Sequence, residues 1–369
     1  MTVPPELAGA TLTINLAALV ENWRLIARTV APAECAATIK ADGYGCGARE
    51  VAQALWNAGC RTFFVALPME GKQVRDALPE AVIYILDGLL AGQADFYIAH
   101  DLRPCLVDPA DLNEWADTVN GSHKAAVHID TGINRLGFDR AQAEALAADA
   151  AMMKRAGLCL MMSHLASGED EANSSNANQR DRFAELRSLF PDLPASLANA
   201  PGTFLGPDYC HDLVRPGVAL YGGNPLSGKP NPMQPVVSLS APILQVRHVD
   251  QGDGVGYGAT WQAHRPSRIA IVGAGYADGL LRAMSWPAQH DGPAKAFVAG
   301  QMAPIVGRVS MDMITIDVTD LDPQQVDRGT KAELLGANIS VDDWARWSGT
   351  ISYEILTSLG RRYAKVYSS

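Results

Sequence analysis

What this 369-residue chain lacks narrows its function first. It has no surplus of positive charge: 30 Lys and Arg stand against 40 Asp and Glu, for a formal net charge of -10. No basic run occurs, and a groove for nucleic-acid phosphates needs clustered Lys and Arg, so nucleic acid is not an expected partner. No apolar run is long enough to span a bilayer, so no membrane partner is expected either. Met1–Ala10 contain no basic segment followed by an apolar stretch, the pattern of a secretory leader. The six cysteines, Cys35, Cys46, Cys60, Cys105, Cys159 and Cys210, form no CxxC pair and no metal-like spacing, so no metal is expected. Several lie inside apolar runs, where a free thiol acts as a small hydrophobe, and a reduced, cytoplasmic protein is the expectation. No segment is of low complexity, and no repeat is visible beyond a β–α period.

What is present fits a globular enzyme of two domains: 48% hydrophobic and 19% charged residues over a length too great for one ordinary domain. The first two-thirds alternate short apolar runs with amphipathic segments. The runs are Cys35–Ala41, Thr62–Ala66, Ala81–Leu86, Arg103–Val107, Lys124–Asp130, Gly157–Leu165, Pro194–Ala200 and Leu213–Tyr221. Uninterrupted apolar runs of this length are strands buried on both faces. Helical stretches such as Ala48–Asn57, Pro109–Val119, Asp139–Arg155 and Asn176–Leu189 lie between them. About eight β–α units result, enough to close a (β/α)8 TIM barrel over residues 11–230. From 231 to 369 the strands are short and divided by Gly- and Asp-containing turns, which reads as a mostly-β C-terminal domain, and residues 1–10 are expected to pack with it. The Pro- and Gly-rich run Asn224–Pro235 is the expected linker.

Several polar groups fall at strand ends, where this barrel gathers its chemistry. Lys40 ends the first apolar run, within Ile39-Lys40-Ala41-Asp42-Gly43-Tyr44-Gly45. Taken alone it reads as a solvated lysine. Its apolar approach lowers an ammonium pKa, and the glycines that follow make a tight turn that brings the Tyr44 phenol toward a phosphate. Asp130-Thr131-Gly132-Ile133-Asn134-Arg135 turns out of the fifth strand and presents Arg135, by itself a surface arginine. His164 ends the sixth strand, and alone it is as well explained as a structural histidine. Asn199 follows the seventh. Arg215-Pro216-Gly217-Val218 lies at the eighth, where such barrels bind phosphate, Gly217 letting backbone N–H groups approach an anion. Arg215 reads either as a structural arginine or as a partner for a ring nitrogen. In the second domain Tyr257 sits between two glycines, and Gly275-Tyr276-Ala277-Asp278-Gly279 and Ser310-Met311-Asp312 are further polar turns.

Together these blocks resemble the alanine racemase family, in an order that runs nearly the whole chain and extends to Ile351-Ser352-Tyr353-Glu354. The resemblance implies a homodimeric, pyridoxal 5'-phosphate-dependent isomerase that interconverts L- and D-alanine with two bases, supplying D-alanine for peptidoglycan or for catabolism. It implies that Lys40 holds the cofactor and serves one face of the substrate, while Tyr257 of the other subunit serves the opposite face. Arg215 then bonds the pyridine nitrogen, with His164 supporting Arg215 and Tyr257. Arg135 contacts the cofactor phenolate and the substrate carboxylate. Tyr44, Gly217, Val218 and Tyr353 hold the phosphate, Asn199 lies in the cofactor site, and Met311 and Tyr276 shape the substrate end. An arginine at the ring nitrogen disfavours a second positive charge there and so limits side reactions.

The chain departs from the family pattern twice. His128 stands where the family often has a carbamylated lysine, so an anion or a neighbouring carboxylate is expected beside Arg135. Ala200 stands where a phosphate-binding serine is frequent. The competing readings are a racemase of broader specificity, for instance toward serine, and a non-catalytic carrier of pyridoxal phosphate. The first shares every catalytic residue. The second has no use for a β domain with Tyr257. A related-fold amino-acid decarboxylase is disfavoured because the second domain lacks a Cys-centred motif.

Overall fold

The computed structural model describes Pro4 and residues 7–369. The chain divides into two compact units. One is Leu19–Leu220 with Asn224–Met233; the other joins the described residues up to Ala18 to Tyr221–Gly223 and Gln234–Ser369.

The first unit is a (β/α)8 barrel. Its eight parallel strands are Glu34–Cys35 continuing as Ala37–Thr38, then Thr62–Val65, Val82–Ile85, Arg103–Leu106, Ala125–His128, Leu158–Met162, Ala195–Ser196 and Leu213–Val214. The first strand pairs with the second through Ala37 and Thr38 and with the eighth through Glu34 and Cys35. Arg215 N–H to Ala198 O (3.0 Å) ties the eighth to the seventh, so the ring closes. Inside it pack Ala36, Phe64, Tyr84, Cys105, Ala126, Leu160, Met162 and Leu213. Near its amino-terminal end Arg103 donates to the Tyr84 hydroxyl (3.3 Å), which lies 3.4 Å from the Cys159 thiol. The outer helices follow local rules. In Pro109–Val119, Asp108 caps the start by accepting from Ala110 and Asp111 N–H (2.6 and 2.9 Å), Pro109 occupies the first turn, and Asn120 ends the helix in the left-handed conformation. Its buried face is Leu112, Trp115, Ala116 and Val119, at the i, i+3, i+4, i+7 spacing of an amphipathic helix.

The second unit is β-rich. Ser267–Val272, Ile314–Asp317, Gln301–Val306, Lys295–Val298, Lys331–Leu335 and the long Val237–Val249 pair antiparallel in that order, and Val237–Val249 returns to Ser267–Val272 to close a six-stranded ring. Bulges between Leu239 and Ser240 and between Ile243 and Gln245 let one 13-residue strand serve several neighbours. Thr11–Asn15 and then Ala364–Ser368 extend this sheet. Leu12 and Ile14 are fully buried while their strand neighbours are not, the period-2 pattern of a half-buried strand.

Two expectations are corrected. The barrel does not begin at residue 11: Thr11–Asn15 is a strand of the β unit, because it pairs with Val237–Ser240 and Ala364–Ser368. Of residues 1–10, positions 1–3, 5 and 6 lie outside the described residues, and Ala10 O accepts from Ala364 N–H (3.1 Å). The single helix expected over Asp139–Arg155 is two, Arg140–Ala147 and Ala150–Arg155, because Asp149 takes the Met152 N–H (2.8 Å) and starts a new N-terminus.

The closed end of the barrel is a place for stability rather than chemistry. Gly157, just before the sixth strand, has φ +60°, and a Cβ there would overlap the His123 carbonyl oxygen. Gly157→Ala is therefore expected to cost about 2 kcal/mol or more. Urea unfolding should show that loss while turnover per folded molecule stays at the wild-type value; lost turnover in a fully folded variant would contradict this division.

Candidate active site at the barrel mouth

The sequence-predicted barrel residues sit at the carboxyl ends of its strands. Lys40 comes two residues after the first, His128 ends the fifth, His164 lies two beyond the sixth, Asn199 three beyond the seventh, and Arg215 directly after the eighth.

The chain leaves the first strand in an unusual way. Ala41 (φ 54°), Asp42 (φ 55°), Gly43 (φ 62°), Tyr44 (φ 53°) and Gly45 (φ 79°) form a continuous left-handed turn. Three of the five carry a Cβ, and each costs about 1–2 kcal/mol in this region. The turn holds because its backbone groups are matched: Gly43 N–H to Ile39 O (2.9 Å), Gly45 N–H to Ala41 O (2.9 Å) and Gly47 N–H to Asp42 O (2.8 Å). The Asp42 carboxylate accepts from Ala48 N–H (3.0 Å) and Glu70 from Ala41 N–H (2.7 Å). The expected strand Cys35–Ala41 thus stops at Thr38 and gives way to this turn.

Lys40 is half-buried, and desolvation, then the Arg135 charge, pull its amine below the usual lysine range while Asp87 and Glu70 oppose them. Tyr44 is folded back and buried, its phenol against Gly217, where a Cβ would run into the hydroxyl. That contact explains why position 217 has no side chain and sets an aromatic hydroxyl beside Gly217.

Arg215 is 4% exposed and pairs with no carboxylate among the described residues. Its Nη1 donates to Ser196 O (2.9 Å) and to the Ser196 hydroxyl, and its Nη2 to Ser163 O and Leu197 O (3.4 Å). Burial without a counter-charge lowers its pKa to about 10, still cationic at neutral pH. The surrounding imidazoles respond. His128 is buried, neither ring nitrogen has a hydrogen-bond partner among the described residues, and desolvation, then Arg215, hold its pKa at about 4, with Arg135 adding to the fall and Asp130 opposing it. His164 sinks well below the imidazole range through desolvation, then Arg215, Arg135, His128 and Lys40. Its Nε2 lies 3.4 Å from Asn199 Nδ2, and its carbonyl accepts from Gln179 (2.8 Å). The expected support of Arg215 by His164 is not a hydrogen bond, since the guanidinium donates to the carbonyl of the preceding Ser163. Asn199 also accepts from Gly202 N–H (3.1 Å) and donates to Leu165 O (3.1 Å), joining the loops after the sixth and seventh strands.

Arg135 is exposed on a turn shaped by Asp130, whose carboxylate accepts from Gly132 and Ile133 N–H (both 3.0 Å) and from Asn134 N–H (3.1 Å). The carboxylate expected as a partner of Arg135 is absent among the described residues: Asp130 is occupied by the backbone, and no ion pair reaches the guanidinium. Its charge stays open to an anion from outside.

The β unit carries the other predicted residues. Tyr257 sits on a short 3-10 turn between Gly256 (φ 73°) and Gly258 (φ 75°), and is 69% exposed. Tyr276 and Met311 are brought together by backbone bonds, Tyr276 N–H to Ser310 O (2.9 Å) and Ala277 N–H to Met311 O (3.0 Å). A Cβ at Gly275 would overlap the Ser310 and Met311 backbone. Sequence reasoning missed the residue that locks these turns. Arg362 grips the buried Asp278 with two bonds (both 2.8 Å) and Asp312 with a third (2.7 Å), tying both loops to the C-terminal segment. Its only sequence signal was an aspartate within each turn. Tyr353 lies in the helix Ser352–Ser358.

Ionisable groups gathered at the mouth of a (β/α)8 barrel, in a chain that also folds a β-rich unit, fit the class of pyridoxal-phosphate-dependent isomerases of amino acids. Within that class the chain belongs to the alanine racemase family. Residues 14–225 match the alanine racemase N-terminal domain and residues 236–367 the C-terminal domain. It is 50% identical over 362 residues to the alanine racemase of Methylobacterium sp. (strain 4-46), covering 97% of this chain and 98% of that protein. It is 43% identical to a catabolic alanine racemase of Mesorhizobium japonicum, over 98% of this chain and 93% of that one. Among solved structures, the alanine racemase of Bartonella henselae with covalently bound pyridoxal phosphate superposes with a TM-score of 0.92 at 38% identity, covering 98% of this chain and all of that one.

The orphaned imidazole gives a pH prediction. An unfolded His128 titrates near 6.5 and the folded one at about 4. Between those values the unfolded chain binds more protons, so His128 destabilises the fold as pH drops through 6.5 toward 4 and has no effect above that window. At pH 5 this amounts to about 2 kcal/mol. The unfolding free energy from urea titrations should fall between pH 7.5 and pH 5 by about 2 kcal/mol less in His128→Leu than in the wild type. Equal acid losses in the two proteins would rule the assignment out.

Proposed function

We propose that Lys40 is the cofactor lysine of a two-base racemisation of alanine, and the observation that carries this is its half-buried place at the barrel mouth, two residues past the first strand and held there by the left-handed turn that follows. The residues fit pyridoxal phosphate: a neutralisable amine, a buried cation without a counter-ion, and a phenol packed onto a side-chain-free backbone segment. When bound, that group supplies an electron-withdrawing ring that acidifies the α-proton of the amino acid.

The chain's own residues do the rest. A depressed Lys40 has an amine free to join the cofactor, and afterwards Nζ holds or releases a proton on one face of the substrate. Tyr257 Oη does the same on the opposite face. Two bases on two faces invert the α-carbon without moving the substrate. Arg215, fixed by neutral oxygens, would face the ring nitrogen and keep a proton off it, because two adjacent cations repel. His164 and Asn199, joined across two loops, brace the cofactor side. Tyr44, the N–H groups of Gly217 and Val218, and Tyr353 bind phosphate. Ala200 offers no hydroxyl there. Arg135 pairs with the substrate carboxylate, and Tyr276 and Met311, clamped through Arg362, bound the substrate end.

The working unit is a homodimer in which Tyr257 of one subunit serves Lys40 of the other; support comes from the family and from the exposure of Tyr257 on its own unit. The compartment is the cytoplasm. The six cysteines are free, five of them buried, which suits a reducing environment. Among the described residues no helix is long and apolar enough to cross a membrane.

Purified protein is expected to absorb in the visible range, and Lys40→Ala to lose both that band and at least about a thousandfold in turnover, about 4 kcal/mol of barrel-mouth chemistry. A borohydride-reducible adduct persisting in Lys40→Ala would assign the cofactor to another lysine. For the shared site, the test is subunit mixing. Lys40→Ala and Tyr257→Phe homodimers are both expected to be inactive. Their heterodimer pairs one doubly defective site with one intact site, so mixing should restore activity to a level below wild type. Proven subunit exchange without recovery would place both bases in one chain.

A further inference from the structure

We infer that Glu70, on the second barrel helix, is a positioning residue that sets the direction of the Lys40 side chain by holding the peptide bond that follows it. The inference rests on Lys40 being the cofactor lysine. Glu70 is the third residue of the helix Pro68–Ala77 and is half-buried. One carboxylate oxygen accepts from Leu67 N–H (3.1 Å) and Ala66 N–H (2.8 Å), closing the start of its own helix and the end of the second strand. The other oxygen leaves that helix and accepts from Ala41 N–H at 2.7 Å.

That N–H belongs to the peptide unit joining Lys40 to Ala41. Its plane is set by ψ of Lys40 and φ of Ala41, so fixing its N–H fixes the torsion that aims the Lys40 side chain. The position matters because Ala41 is the first residue of the left-handed turn, at φ 54° and ψ 51°, a region that residues with a Cβ leave readily. The later members of the turn are held by bonds among themselves and to neighbouring backbone and Asp42. The junction at Ala41 N–H is instead held by a side chain from a different β–α unit. An ionised carboxylate makes that bond stronger than a neutral acceptor. The same charge works against the desolvation that lowers the Lys40 amine. Glu70 therefore tunes as well as aims the base, without touching substrate.

The test uses full-length holoenzyme in three forms: Glu70→Gln, Glu70→Asp and wild type. Glutamine keeps the length but has one acceptor oxygen, so it cannot serve both arms. Aspartate keeps the charge and the helix-start bonds but is too short to reach Ala41. First, borohydride reduction and peptide mapping locate the adduct in wild type. A residue other than Lys40 there would overturn the reading on which the inference rests, separately from the inference itself. Second, the visible band is followed as hydroxylamine strips the cofactor. Third, α-deuterium isotope effects are measured from L- and from D-alanine. Both variants are expected to lose cofactor roughly tenfold faster and to raise the isotope effect for the one enantiomer whose proton goes to Lys40. Thermal midpoints report the helix cap alone, and Glu70→Asp should keep that of the wild type. If Glu70→Asp matches wild type in stripping and in both isotope effects, Glu70 only caps its helix and the inference fails.

Discussion

Arg215 is the constraint around which the barrel mouth is organised. A guanidinium buried without a carboxylate is costly, and a buried charge of this kind persists only when its donors are met. Here oxygens from Ser163, Ser196 and Leu197, on the sixth and seventh barrel strands and the residues just beyond them, meet it from fixed positions. Closing the ring of strands is what brings those oxygens to one place. The uncompensated charge then dictates its surroundings. Desolvation first and the Arg215 charge second keep His128 and His164 neutral, and desolvation with the Arg135 charge favours a neutral Lys40 amine, so the mouth is a cation-rich space that draws in anions. A cofactor with a phosphate and a phenolate, and a substrate with a carboxylate, match that field.

The two units solve different problems. The barrel must hold a strained turn and an unpaired cation, and it does so with backbone oxygens and a few carboxylates aimed at backbone N–H groups: Asp42, Glu70 and Asp130 all serve in this way. Such contacts fix geometry without adding a mobile negative charge near Lys40. The β unit must present three exposed side chains, Tyr257, Tyr276 and Met311, on turns that do not drift. Positive-φ glycines shape the first turn, and the Asp278–Arg362–Asp312 clamp binds the other two.

Much of this was legible in the sequence because it depends on local pattern. The uninterrupted apolar runs marked the buried parallel strands, and the break near Asn231 marked the change to short antiparallel ones. Pro109–Val119 was readable to the residue, because Asp108, Pro109 and Asn120 are its punctuation. The assignment of Thr11–Asn15 was not readable, since the strand's partners lie more than 200 residues away and its pattern suits either unit. The left-handed turn after Lys40 was visible only as glycines at 43 and 45; Ala41 and Asp42 give no hint of positive φ, because tertiary bonds impose it. Neither Glu70 nor Arg362 lies in any of the sequence blocks that pointed to the site. Each acts on a residue from 29 to 84 positions away, beyond what spacing reveals. His128 was the reverse case: its departure from the family pattern singled it out, but its isolation from every hydrogen-bond partner is a property of packing.

The central claim, that burial together with an Arg215 charge unmatched by any carboxylate among the described residues keeps the barrel mouth short of protons, is tested most directly by observing the two imidazoles. Nitrogen NMR of protein labelled at histidine resolves the charge and tautomer of His128 and His164 as pH is varied. Both rings are expected to stay neutral, with unchanged ring-nitrogen shifts, from pH 8 down to about 5.5. Titration of either ring with a midpoint between about 6 and 7 would contradict it.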